Sequence, residues 1–164
     1  MRGCLYTEFM AVETTAPGRI LALDVGSKTI GLAVSDALGI TAQGMETIRR
    51  RNKRFDLAAL HSVIRRYGVT ELVVGLPLRL SGKAGTQAEK VSAFAEELRE
   101  KFKIPVCLWD ERLTSAEANR ILKESEISIR KRAGAVDRLA AVLILQNYME
   151  NRLSMSTRLE IEDV

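Results

Sequence analysis

Two short stretches, Glu71–Leu76 (ELVVGL) and Ile104–Trp109 (IPVCLW), run through apolar residues without the alternation of a half-exposed strand. They are too short for buried helices, and strands of this kind belong in a sheet covered on both faces. Pro77 ends the first of them. A chain built on such strands must bring helices to both sides of its sheet. Upstream, Arg19–Val25 (RILALDV) and Thr29–Ser35 (TIGLAVS) are runs dense in β-formers, joined by the turn Gly26-Ser27-Lys28. Gln43–Arg49 is a weaker run that extends the pair into a three-strand meander.

Elsewhere the apolar period becomes helical. Arg54–Tyr67 sets Phe55, Leu57, Leu60, Val63, Ile64 and Tyr67 on one face, and Gly68 stops it. Thr86 and Glu89 have capping-box spacing at the head of a second helix, whose inner face is Val91, Phe94, Ala95 and Leu98. Thr114 and Glu117 repeat that spacing at the head of another helix. A basic, irregular stretch, Ser128–Ala133, then precedes a last helix from about Ala135 to Arg152. The order βββαβαβ followed by helices predicts an α/β chain with the ribonuclease-H-like architecture. Its sheet is mixed and five-stranded, a three-strand meander followed by αβ units, with helices on both faces. The 164 residues suit one domain. It is expected over 19–153, between an N-terminal extension, 1–18, and a C-terminal tail, 154–164.

Composition removes several classes of chemistry. Two cysteines, Cys4 and Cys107, and one histidine, His61, exclude a disulfide scaffold, a Cys/His zinc site and any mechanism needing two histidines. No apolar run approaches the ~20 residues that cross a bilayer. Glu8 and Glu13 near the start do not fit a signal peptide. A reducing cytoplasm is the expected compartment, with no membrane partner. Residues 19–153 hold 23 basic and 16 acidic residues, a net of +7. A basic body of this kind suits a polyanionic partner, although solubility alone also accounts for it.

Three carboxylates remain as candidates for chemistry. Asp24 interrupts an apolar run near the end of the first strand, where an unpaired charge is costly. Glu111 follows the strand ending at Trp109, and alternation lets only one of Asp110 and Glu111 face a given side. Asp137 falls in the first turn of the expected last helix, with Ala140 and Ala141 leaving room for a ligand or for close packing. Each also fits a local role: Asp24 capping the Gly26-Ser27 turn, Glu111 pairing with Arg112, Asp137 at a helix start. If the fold brings them together, their repulsion calls for a divalent cation. Hard oxygen donors suit Mg²⁺ or Mn²⁺, and three carboxylates with phosphate oxygens suit a two-metal site.

At these residues the sequence resembles the YqgF family, described as Holliday-junction resolvases and as nucleases that process pre-16S rRNA. The matching stretches are ALDVGSKTIGLAVSD (22–36), VVGLPLRLSGKAGTQAEKVSAFAEEL (73–98), DERLTSAEA (110–118) and AVDRLAAVLILQNYM (135–149). The resemblance implies a ribonuclease-H-like fold, a metal-dependent nuclease, and Asp24, Glu111 and Asp137 as its catalytic and metal-binding acids. It implies pre-16S rRNA as substrate, with branched DNA as the alternative. Thr29, Ser115 and Arg79-Leu80-Ser81 depart from the family pattern around the site without touching the acids.

The expected nucleic-acid contacts are basic. Arg49, Arg50, Arg51, Lys53 and Arg54 crowd the junction between the third strand and first helix, where a solvated turn is the competing role. Lys28 lies in the first turn, Arg79 and Lys83 in the loop before the second helix, and Arg112 beside Glu111. Arg130, Lys131 and Arg132 precede Asp137. Trp109 and Cys107 are expected in the core and His61 on the surface. An actin-like phosphotransferase is disfavoured by the lack of a Gly-Gly pair and of room for a second domain. A non-catalytic nucleic-acid-binding module remains an alternative. A resolvase needs two active sites and hence a homodimer, whereas an RNA-processing nuclease can be a monomer.

Overall fold

The structure, a computed structural model, describes residues 18–78, 85–111, 124 and 129–162. Strands β1 (Arg19–Val25) and β2 (Thr29–Ser35) have the expected bounds and pair antiparallel. The third run is split into β3 (Ala42–Gly44) and β4 (Ile48–Arg49), both antiparallel to β2. The split falls at Gly44, which lies under the last helix: a Cβ there would sit 2.6 Å from Arg138 Cγ. Strands β5 (Val69–Leu76) and β6 (Val106–Asp110) follow, and β1–β5 and β5–β6 are parallel. The sheet order β3-β2-β1-β5-β6, with β4 continuing the β3 edge, is the ribonuclease-H-like arrangement.

Helix α1 (Lys53–Tyr67) is capped by Asn52, whose side chain accepts from the Phe55 amide, and ends at Gly68 in the left-handed region with φ 62°. Helix α2 (Thr86–Phe102) does not use the expected capping box. Gly85 takes the extended N-cap position, so Thr86 is already helical and stands one residue too late to cap. Helix α3 (Ile129–Glu162) starts earlier and ends later than its periodicity suggests. The basic stretch Ser128–Ala133 is helical from Ile129 onward, because Arg and Lys are good helix formers and nothing there breaks the chain. The same helix runs on through most of the segment expected as a tail. The helix predicted from Thr114, the extension over 1–17 and residues 79–84 lie outside the described residues.

Alternation along the strands sorts the core into two layers. Leu21, Leu23, Val25, Leu32, Val34, Leu72, Val74 and Leu108 pack against α1 and α2. Ile20, Ala22, Ala33, Val73, Cys107 and Trp109 pack against Ala141, Ile144, Leu145, Tyr148 and Met149 of α3. Trp109 meets Tyr148 edge-on with ring centres 5.5 Å apart, and His61 is exposed, both as expected. No described helix is long and apolar enough to cross a membrane.

One ion pair ties the β4–α1 connection to the sheet. Asp56 is buried, accepts from Arg50 Nε at 2.9 Å and from the Arg51 amide at 3.2 Å, and Arg50 Nη1 donates to the Gly26 carbonyl at 2.8 Å. Removing Asp56 leaves a largely enclosed guanidinium without its counter-charge. Asp56→Ala is expected to lose about 3 kcal/mol in urea unfolding; a loss under ~1 kcal/mol would show that water replaces the carboxylate freely.

Candidate active site

The acids meet on the α3 face. Strand parity puts Asp24 in register with Ile20 and Ala22, and Glu111 in register with Cys107 and Trp109, all facing α3. Asp24 is paired across the β1–β2 ladder with Gly31. On its other side, the parallel register that sets Leu23 beside Val74 carries Gly75 alongside it. The row Gly31–Asp24–Gly75 thus holds one side chain flanked by two empty positions.

Each empty position is filled by a neighbour of Asp24. A Cβ on Gly31 would fall 2.2 Å from the Asp137 carbonyl oxygen, and one on Gly75 would fall 2.3 Å from Glu111 Oε2 and 2.6 Å from Ile144 Cδ1. Glycine here is a packing requirement, because only a bare Cα admits the helix and the carboxyl. Asp137 stands more than two turns into α3, not in its first turn, so its position is set by packing on Gly31 and a helix-start role falls away. Thr29 Oγ1 donates to Asp137 Oδ2 at 2.5 Å and orients that carboxyl. Ala140 and Ala141 are fully buried, so the small residues serve close packing.

Electrostatics bear the mark of this convergence. The Asp24 carboxyl is pushed up to about 6 by burial and by the charge of Asp137, while its hydrogen bond with Glu111 opposes the rise. The Glu111 carboxyl is pushed up to about 8 by burial and by the charges of Asp24 and Asp110. Asp24 and Glu111 share a hydrogen bond, which one proton between them supplies. Glu111 is buried, and its Oε2 has no hydrogen-bond partner among the described residues. The site therefore holds more acceptor capacity than the chain satisfies. A hard cation fits that donor set, although no described group of three or more Asp, Glu, His or Cys is arranged to hold a metal ion as it stands.

The basic residues divide. Lys28 is exposed in the β1–β2 turn beside the acids, and Arg49 is exposed on β4. Arg50 is not free for phosphate, contrary to expectation: Asp56, the Gly26 carbonyl and the Phe94 ring occupy it. Arg51 lies over Phe55 at 4.5 Å from the ring centre, and Lys53 is exposed and paired with Glu97 at 2.7 Å. Arg79, Lys83 and Arg112 lie outside the described residues. Arg130, Lys131 and Arg132 are in the first turn of α3. Sequence reasoning missed Thr29, Gly31 and Gly75. Gly31 and Gly75 would have been found only by asking which glycines stand level with Asp24 once the strands are paired.

A family model described as "RuvX: Holliday junction resolvase" matches residues 18–151. A Koribacter versatilis protein named "Putative pre-16S rRNA nuclease" is 63% identical over 143 residues, 87% of this chain and 94% of its own length. One of the same name from Moorella thermoacetica is 55% identical over 132 residues, 80% of this chain and 94% of its own. Among solved structures, Thermus thermophilus RuvC in complex with a Holliday junction substrate aligns with a TM-score of 0.48 and 16% identity, over 83% of this chain and 96% of that one.

Two outcomes follow from this geometry. A carboxyl whose folded value is raised keeps its proton where the unfolded chain has already lost it, so folding stability falls as pH rises from the ordinary values of 3.8 and 4.5 toward about 8. Glu111→Gln is expected to flatten that fall. In EDTA it should melt above the wild type at pH 8.5, with the gap closing toward pH 4; parallel melting curves would contradict the buried-charge account. Gly31→Ala drives a methyl into the Asp137 backbone and should cost about 1–3 kcal/mol, read by urea unfolding. It should also impair cleavage beyond what the stability loss explains.

Proposed function

The chain belongs to the RuvX family and is a nuclease, and from that premise we propose that it hydrolyses phosphodiester bonds in the precursor of 16S rRNA. Asp24, Glu111 and Asp137 are its catalytic and metal-binding residues. The observation that carries this reading is the meeting of the three acids around Asp24, with Glu111 buried and one of its oxygens unsatisfied.

Asp24, Glu111 and Asp137 would hold Mg²⁺ or Mn²⁺, as a donor set that suits a two-metal site. When bound, such ions supply a water nucleophile at neutral pH and stabilise the leaving oxygen. Asp24 is central, because it alone neighbours both other acids. Glu111 would have to give up its proton to act as a ligand, so divalent affinity would rise with pH toward about 8. Thr29 keeps one Asp137 oxygen engaged and so limits how that carboxyl can turn. The exposed Lys28 and Arg49, with the basic start of α3, contribute phosphate contacts at the rim. An RNA substrate suits a cytoplasmic enzyme.

The family description favours a second reading, a resolvase of branched DNA, which requires a homodimer to present two sites. The deciding experiment incubates the protein with Mg²⁺ or Mn²⁺ and a panel of pre-16S rRNA fragment, unstructured RNA and four-way junction DNA. Cleavage of the rRNA precursor is expected. Asp24→Asn should fold normally and lose at least about 10²-fold in rate, as loss of a metal ligand costs. Full activity of that variant would remove Asp24 from the chemistry, and cleavage of junction DNA alone would select the second reading.

A further inference from the structure

On the opposite side of the sheet from the acids lies a cleft of about 540 Å³, walled by the β1–β2 turn, the start of α1 and one flank of α2. None of the three acids lines it. Val25 does, and Val25 follows Asp24 with its side chain on the other face. Among the described residues, only the turn Gly26-Ser27-Lys28 separates the cleft from the acids, with Ser27 on the cleft wall and Lys28 exposed beside it.

The walls are braced. Arg50 links the Gly26 carbonyl to Asp56 of α1, and its guanidinium lies 5.4 Å from the centre of the Phe94 ring of α2. Four bases and two acids line the cleft: Arg50, Arg51, Lys53 and Lys90 against Asp56 and Glu97. Arg50 takes up Asp56 and Lys53 takes up Glu97. Arg51 and Lys90 have no ion-pair partner among the described residues. Arg51 lies over the Phe55 ring, and Lys90 is exposed. The cleft is therefore a braced hollow with surplus positive charge, large enough for more than one phosphate group and opening one turn away from the reacting centre.

We propose that this cleft is a strand-holding subsite, in which Arg51 and Lys90 grip the phosphate backbone of a single-stranded segment that continues from the scissile bond over the Gly26–Lys28 turn. The path from the acids to the cleft crosses the end of the sheet from one face to the other. Duplex DNA, with a persistence length of ~50 nm, follows so short a bend only at a large elastic cost. A single strand follows it without that cost. The site thus favours substrates that carry an unpaired segment beside the cut. This inference rests on the nuclease reading, and it is tested by binding so that the two can fail separately.

Binding is measured by fluorescence anisotropy in EDTA across a KCl series. The probes are a short single-stranded RNA, the DNA of the same sequence and the corresponding duplex. The variants are Arg51→Ala/Lys90→Ala together and Glu97→Gln, all at exposed or half-exposed positions, with melting curves as the check on folding. The double variant should bind single strands at least about tenfold more weakly, with a salt slope lower by roughly 1.4, as expected for two lost phosphate contacts at about 0.7 each. Duplex binding should change much less. Glu97→Gln, which releases Lys53, should tighten single-strand binding. Equal losses on RNA and DNA place the contacts on phosphate, and a larger loss on RNA adds the 2′-hydroxyl to them; both support the subsite. Unchanged affinity and slope on single strands, no single-strand binding by the wild type, or an equal loss on the duplex would overturn it. If the subsite fails while the wild type still cleaves and Asp24→Asn does not, the nuclease reading stands alone. If Asp24→Asn cleaves normally, the catalytic assignment fails and the binding result is judged by itself.

Discussion

Three acids converge in this protein because two side chains are missing. A protein interior packs as densely as an organic crystal, so a carboxyl enters it only where volume has been vacated. Gly31 and Gly75 vacate it on either side of Asp24, one for the backbone of α3 at Asp137 and one for the Glu111 carboxyl. Ala22, Ala33, Ala140 and Ala141 carry the same economy of volume along the seam between sheet and helix. The arrangement is electrostatically unfavourable in the bare chain, which answers by pushing both carboxyls up and keeping a proton on Glu111. A hard cation would answer the same repulsion more completely, so the acids that weaken the bare fold are the ones proposed for chemistry on phosphate.

Much of this was legible in the sequence because it is local. β1 and β2 begin and end where their apolar runs do, and Asp24 shows itself as the one charge inside such a run. Alternation let only one of Asp110 and Glu111 face a given side, and the packing of Cys107 and Trp109 on α3 sets that side for Glu111. What was not legible depends on register. Gly31 and Gly75 lie far apart in the chain, and only strand pairing sets both level with Asp24. The basic run from Arg49 to Arg54 shows the same limit. Its members are chemically alike, and the burial of Asp56 alone separates Arg50, a structural tie, from Arg51, which faces the cleft.

Helix α3 starts earlier than its apolar period predicts. The basic stretch Ser128–Ala133 reads as irregular in the sequence, but long straight side chains lose little rotamer freedom in a helix. Charge argues for exposure and says little against helicity. The early start moves Asp137 from a frayed end to a position supported by helix on both sides, so its placement follows from the rigid docking of α3 and not from a cap.

That docking is specified at two points. Asp137 meets Gly31 on β2, and Ile144 meets Gly75 on β5, with β1 and its Asp24 between them. Residues seven apart on a helix lie on one face, and the structure sets both of these against a bare Cα, so α3 seats on both glycines at once. A helix held at a single point can rotate or slide, but one held at two points a strand-pair apart can do neither without lifting a side chain off a glycine. The glycine that admits Asp137 and the glycine that admits Glu111 thus also fix the helix that carries Asp137, and the geometry of the acids is set by the same contacts that close the core.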